Sequence, residues 1–117
     1  MIAFNVYGIP IPKQSFKFSN GRGYTPQRVV DWQDRVREEA SLAMRGHDLL
    51  QGELSVYLDF YLPDRRRKDL DNLAKGVLDA CNGLVWQDDQ QIVELHLTKS
   101  FSSKECGITV TAKTTER

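Results

Sequence analysis

Residues 65–72 read RRRKDLDN: four cations, Arg65, Arg66, Arg67 and Lys68, abut two acids, Asp69 and Asp71, set one residue apart. Carboxylates held that close repel, and the proton affinity of one rises unless a cation is present. A divalent ion removes the conflict, and paired hard oxygens with room left for water and phosphate oxygens suit Mg²⁺, or Mn²⁺ in its place. The basic run suits a polyanion. A phosphodiester satisfies both signs at once, because cations attract the backbone while carboxylates hold metal against the phosphate to be cut. Lys75 follows Asp71 by four residues, and WQDDQQIVELHL supplies a second acidic pair, Asp88 and Asp89.

Each of these residues also has an ordinary reading. Asp69 or Asp71 at a helix start is a common N-cap, Asp71 with Lys75 a common i, i+4 pair, and Asp88-Asp89 a polar turn. Those readings leave the four adjoining cations unexplained, since neither a cap nor a turn needs them.

The elements that must position these residues follow from periodicity. Ile2, Phe4 and Val6 alternate in a first strand that ends at GIPIP, where two prolines forbid further ladder pairing. Phe16 and Phe18 alternate with polar residues up to Asn20-Gly21, which predicts a projecting β-ribbon. Thr25-Pro26 opens a helix with apolar residues at Val29, Trp32, Val36, Ala40 and Ala43, stopped after Arg45 by Gly46. Leu54, Val56, Leu58, Phe60 and Leu62 form one face of a long central strand. A second helix begins near Asp69 to Asn72 and ends at Asn82-Gly83. Its apolar arc comprises Leu70, Leu73, Ala74, Val77, Leu78, Ala80, Cys81 and Leu84, with Asp71 and Lys75 just outside the edge. Two strands follow, one through Val93, Leu95 and Leu97 and one through Ile108, Val110 and Ala112, with FSSKE as their turn. Carrying the alternation of the first of these backwards gives Asp89, not Asp88, the parity that faces the helices. The expected fold is α+β: a small mixed sheet of about four strands, two helices on one face, and an N-terminal β-ribbon.

Composition limits the classes of function. With 117 residues, 40% hydrophobic and 27% charged, the chain suits a single globular domain spanning 1–117, not a disordered or membrane protein. The formal net charge is zero, so any affinity for nucleic acid must come from local clustering. Neither a basic export leader nor an 18-residue apolar run is present, which predicts a cytoplasmic location and no membrane contact. Cys81 and Cys106 lack metal-binding spacing and are expected to be reduced, structural thiols.

The wording of two segments is distinctive. DRRRKDLDNLAKGVLDA, followed after a short gap by WQDDQQIVE, closely resembles the signature of the RusA family of Holliday junction resolvases, small metal-dependent endonucleases of bacteria and their phages. GIPIPKQSFKF and YTP are similar to the less regular amino-terminal half of that family, so the likeness covers most of the chain. The resemblance implies that Asp69, Asp71 and Asp89 are catalytic, metal-holding carboxylates and that Lys75 is the catalytic lysine. It also implies a homodimer that places paired nicks in four-way junction DNA, with no organic cofactor.

On this reading Arg65, Arg66, Arg67 and Lys68 grip phosphates, as do Lys13, Lys17 and Arg22 on the ribbon. Phe16, Phe18 or Tyr24 stack or wedge at the junction centre, or simply pack. The alternative of another class is a non-catalytic branched-DNA-binding protein whose acids only cap and turn. A nucleotide-sugar transferase reading of Asp-x-Asp fails, because no glycine-rich turn precedes a helix.

Overall fold

A computed structural model describes residues 1–13, 17–19 and 22–115, of which 17–19, 22 and 23 are described by backbone alone. Phe16, the expected turn at Asn20-Gly21 and the last two residues of the chain lie outside the described residues. The elements are β1 (Ile2–Tyr7), β2 (Lys17–Ser19), β3 (Arg22–Tyr24), α1 (Gln27–Ala43), β4 (Leu54–Leu62), α2 (Leu70–Cys81), a 3₁₀ turn (Asp89–Gln91), β5 (Ile92–Phe101) and β6 (Gly107–Thr114). The expected order of strand, ribbon, helix, strand, helix, strand, strand is present. β2 and β3 pair antiparallel as a separate ribbon.

The main sheet has four strands in the order β1-β6-β4-β5. β4 lies between its neighbours, antiparallel to β6 and parallel to β5. Parallel neighbours cannot be joined by a tight turn and need a crossover, which α2 supplies. That connection fixes the site's layout: α2 must start where β4 ends and finish where β5 begins.

Both helices cover one sheet face. α1 buries Val29, Trp32, Val36 and Ala40, α2 buries Leu73, Ala74, Val77, Ala80 and Cys81, and all five apolar residues of β4 are buried beneath them. Gln33 is the polar exception within α1, and its Nε2 donates to the Gly76 carbonyl oxygen at 3.0 Å, which satisfies it and ties the helices together. Burial holds Cys81 as the inert thiol expected: its pKa is pushed up to about 12, first by desolvation and then by the nearby charge of Asp89, with Arg37 opposing.

β5 departs from the expected simple alternation. Its register against β4 shifts between Leu54 and Ser55, so Ile92 faces Leu54 and Glu94 faces Ser55, leaving Val93 as the extra residue of a bulge. Val93, Leu95 and Phe101 remain 42%, 41% and 38% exposed, because β5 is the outermost strand.

Close approach of β1 and β6 depends on Gly107, whose φ is +152° and where an added Cβ would drive into the carbonyl oxygen of Val6. Gly107→Ala is expected to cost about 2 kcal/mol of stability, read as a lower urea midpoint at unchanged m-value.

Candidate active site

The head of α2 gathers the first acidic pair. Asp69 occupies the N-cap position in extended conformation, yet its side chain makes no capping hydrogen bond. Asp71 Oδ1 accepts the backbone N–H of Asn72, at 2.9 Å, and no other hydrogen bond among the described residues. Asp69, Asp71 and Lys75 are all exposed, and no ion pair joins Asp71 to Lys75 among the described residues. The ordinary readings as side-chain cap for Asp69 and as i, i+4 pair for Asp71 and Lys75 are therefore not realised. What remains is two open carboxylates at a helix N-terminus, where backbone N–H groups and the helix dipole also favour negative charge.

The basic run leads directly into this head. Arg67 Nε stands 3.3 Å from Asp69 Oδ1, Arg66 pairs with Asp64, and Arg65 lies over the ring of Phe101 at 4.2 Å. Arg67 is 89% exposed, so its ion pair contributes little and can be exchanged for a phosphate at small cost. Lys68 Nζ donates to the Pro10 carbonyl oxygen at 3.2 Å. Pro12, Arg67, Lys68, Asp69 and Asn72 line an open hollow of about 330 Å³.

Lys99 and Phe101 were not among the residues the motifs pointed to. Lys99 Nζ donates to the Lys68 carbonyl oxygen at 3.0 Å, and Phe101 carries Arg65. The signal was available: Lys99 faces Phe60 across the ladder, a charged residue at an inward position of an otherwise apolar series.

Asp89 stands elsewhere. It opens the 3₁₀ turn before β5, at the foot of α2, where Trp86 Nε1–H donates to its Oδ1 at 2.6 Å. Desolvation chiefly raises its pKa, the Trp86 hydrogen bond lowers it, and the charges of Asp79 and Asp88 raise it further. Twelve helical residues separate head from foot, a rise of about 18 Å. The expectation that Asp69, Asp71 and Asp89 converge within one chain is thus corrected. Among the described residues, no group of three or more His, Cys, Asp or Glu is placed to hold a metal ion. The parity argument did give Asp89 the right side, since it is half-buried against Trp86 and near Asp79 and Cys81 of α2 while Asp88 is exposed, but it could not give the position along the helix. Asp88 does act as a cap, accepting from the Gln90 N–H at 2.9 Å in a capping box with Gln91.

The ribbon residues divide. Lys13 Nζ meets Asp79 Oδ2 at 2.7 Å, so its charge is already paired within the chain. Lys17, Phe18 and Arg22 lie on β2 and β3 with side chains outside the description, and Tyr24 is exposed.

The donor chemistry fits a hard divalent cation that keeps part of its water shell. The head offers two carboxylates open to solvent, and the foot offers one whose charge is disfavoured until a cation offsets it.

Comparison with known proteins agrees with these features. The family described as Endodeoxyribonuclease RusA matches residues 8–113. The chain is 30% identical over 105 residues to the crossover junction endodeoxyribonuclease RusA of Aquifex aeolicus, covering 87% of this chain and 82% of that protein. It is 30% identical over 101 residues to the protein of the same name from Escherichia coli K12, covering 81% and 83%. A relative from Enterobacteria phage 82 is 29% identical with the same coverage, 81% and 83%. No helix among the described residues is long and apolar enough to cross a membrane. With a match that spans both the acidic cluster and the amino-terminal loop, the chain belongs to the RusA family of endodeoxyribonucleases.

Proposed function

We propose that this protein is an Mg²⁺-dependent endonuclease, with Mn²⁺ able to substitute, that resolves four-way DNA junctions by paired symmetric nicks and acts as a homodimer. The observation that carries the reading is the exposed carboxylate pair at the head of α2, with Arg67 against Asp69 and the exposed Arg65 and Arg66 just before it in the chain. Names borne by the relatives point the same way, since each is a crossover junction endodeoxyribonuclease.

Arg65, Arg66 and Arg67 hold adjoining phosphates, and Lys17 and Arg22 extend that track along the ribbon. Asp69 and Asp71 hold the divalent ion. When bound, that ion polarises a phosphoryl oxygen and favours an attacking water. Lys75, one turn along the same helix, lies where its ammonium stabilises charge developing on the phosphate or orients the water.

Asp89 completes this set only from a second copy. β5 is an outer strand of ten residues whose far edge is unpaired among the described residues. A copy laid antiparallel against that edge about a two-fold axis sets the start of one β5 beside the end of the other. Asp89 of the partner subunit then approaches the head of α2, and two such sites are related by symmetry. Two opposed cuts require that relation.

The test uses a labelled synthetic four-way junction and a linear duplex of matching sequence, each incubated with and without Mg²⁺. Paired nicks in the junction alone, and only with Mg²⁺, are expected. Binding without cutting would favour the passive branched-DNA binder, and cutting of both substrates a general nuclease.

A further inference from the structure

We infer that Lys13 is a positioning residue for the nuclease reaction: its ion pair with Asp79 pins the amino-terminal loop along α2 and so sets the ribbon's place relative to the cutting residues. The inference rests on the endonuclease reading above and replaces the expectation that Lys13 grips a phosphate.

Three contacts lay the loop of residues 10–13 along the helix. Near the head, Lys68 Nζ holds the Pro10 carbonyl oxygen at 3.2 Å. One turn on, the Lys13 N–H donates to the Asn72 carbonyl oxygen at 2.9 Å. Toward the foot, the Lys13 ammonium meets Asp79 at 2.7 Å. The loop lies directly against the helix at Gly76, where an added Cβ would sit 3.5 Å from Lys13 Cβ and 3.8 Å from the Ile11 carbonyl oxygen. Gly76 is itself held by the buried Gln33.

Asp71, Lys75 and Asp79 recur every four residues and therefore share one strip of α2. The pin thus lands on the strip that carries two of the residues proposed to cut. The ribbon begins at Lys17, four residues after the pin. With its base held, DNA guided by the ribbon arrives in fixed relation to Asp69 and Asp71. Loosening the base leaves the DNA bound but misaligned, and a misplacement of about 1 Å can cost up to a hundredfold in rate. The ion pair is only 23% and 37% exposed at its two side chains, so solvent and salt weaken it less than the arginine pairs of the basic run.

The pair is tested by a double-mutant cycle on the full chain, with single-turnover cleavage of a four-way junction, junction Kd and the salt dependence of Kd measured for each variant. Lys13→Met and Asp79→Asn are each expected to slow cleavage about tenfold, and the double variant no further, because both remove the same contact. Junction Kd stays within twofold of wild type in all three, and the salt slope does not change. Lys13→Arg, and the charge swap Lys13→Asp with Asp79→Lys, recover most of the rate, which also separates the effect from a folding defect. If Lys13→Met instead weakens binding and flattens the salt slope by about one ion while Asp79→Asn does not, Lys13 is a phosphate contact and the inference is overturned. Unchanged cleavage in both single variants overturns it equally. Failure of the wild-type chain to cut is the distinct outcome that removes the endonuclease reading and the inference together.

Discussion

Asp71→Asn is expected to slow Mg²⁺-dependent cleavage of a four-way junction by about a thousandfold or more, while junction binding is kept or tightens. The carboxamide keeps the size and shape of the side chain, so the exposed first turn of α2 has no reason to unfold. It removes one of the two carboxylates at the head of the helix, and among the described residues no group of three or more His, Cys, Asp or Glu is placed to hold a metal instead. A metal that stabilises charge on the reacting phosphate contributes several kcal/mol to the transition state, and about 4 kcal/mol corresponds to a thousandfold. The same change deletes an exposed negative charge in the first turn of α2, next to the hollow lined by Arg67, Lys68 and Asn72, lowering the repulsion that a bound phosphate meets there. Cleavage gels and gel-shift titrations of one preparation measure both effects. The opposite signs are diagnostic, because a variant that had merely lost its fold would lose binding as well.

Legibility in the sequence followed the regularity of the elements. The strip of α2 that bears Asp71 and Lys75 could be placed at the rim of the apolar arc because helical spacing held without interruption from Leu70 to Cys81. β4 was equally plain, alternating over nine residues with its apolar face fully buried. Asp89 could be singled out in the sequence, but its location could not. Its position depends on the 3₁₀ turn and on the bulge at Val93, and a period of two cannot be carried through either. Crossover topology then decides the matter, since a helix that joins parallel neighbours separates the residues at its two ends by its own length.

Lys13 shows the opposite limit. As a lysine beside prolines and ahead of a ribbon it looked like every other basic residue of the region, and its partner lies 66 positions away. Only packing at Gly76 and the turn-by-turn path of the loop reveal that its charge already has a use. Arg65 stands in the run of cations, but its seat on Phe101 required knowing that β5 ends beside the loop that follows β4.

The separation of Asp69 and Asp71 from Asp89 is the feature on which the account turns, and mixed dimers test it most directly. Asp71→Asn and Asp89→Asn chains carrying different affinity tags are each assayed alone, then unfolded together, refolded and assayed as a mixture and as isolated mixed dimers. Each variant alone has two defective sites and should not cut. In a mixed dimer one site joins two altered residues, while the other joins an intact Asp69–Asp71 pair with an intact Asp89 of the partner subunit. Random pairing makes half of the dimers mixed with one working site each, so nicking should return to about a quarter of the wild-type level. The products should be single nicks rather than paired cuts. Isolated mixed dimers that remain as inactive as either parent would mean that all three acids act within one chain, and the composite site would be wrong.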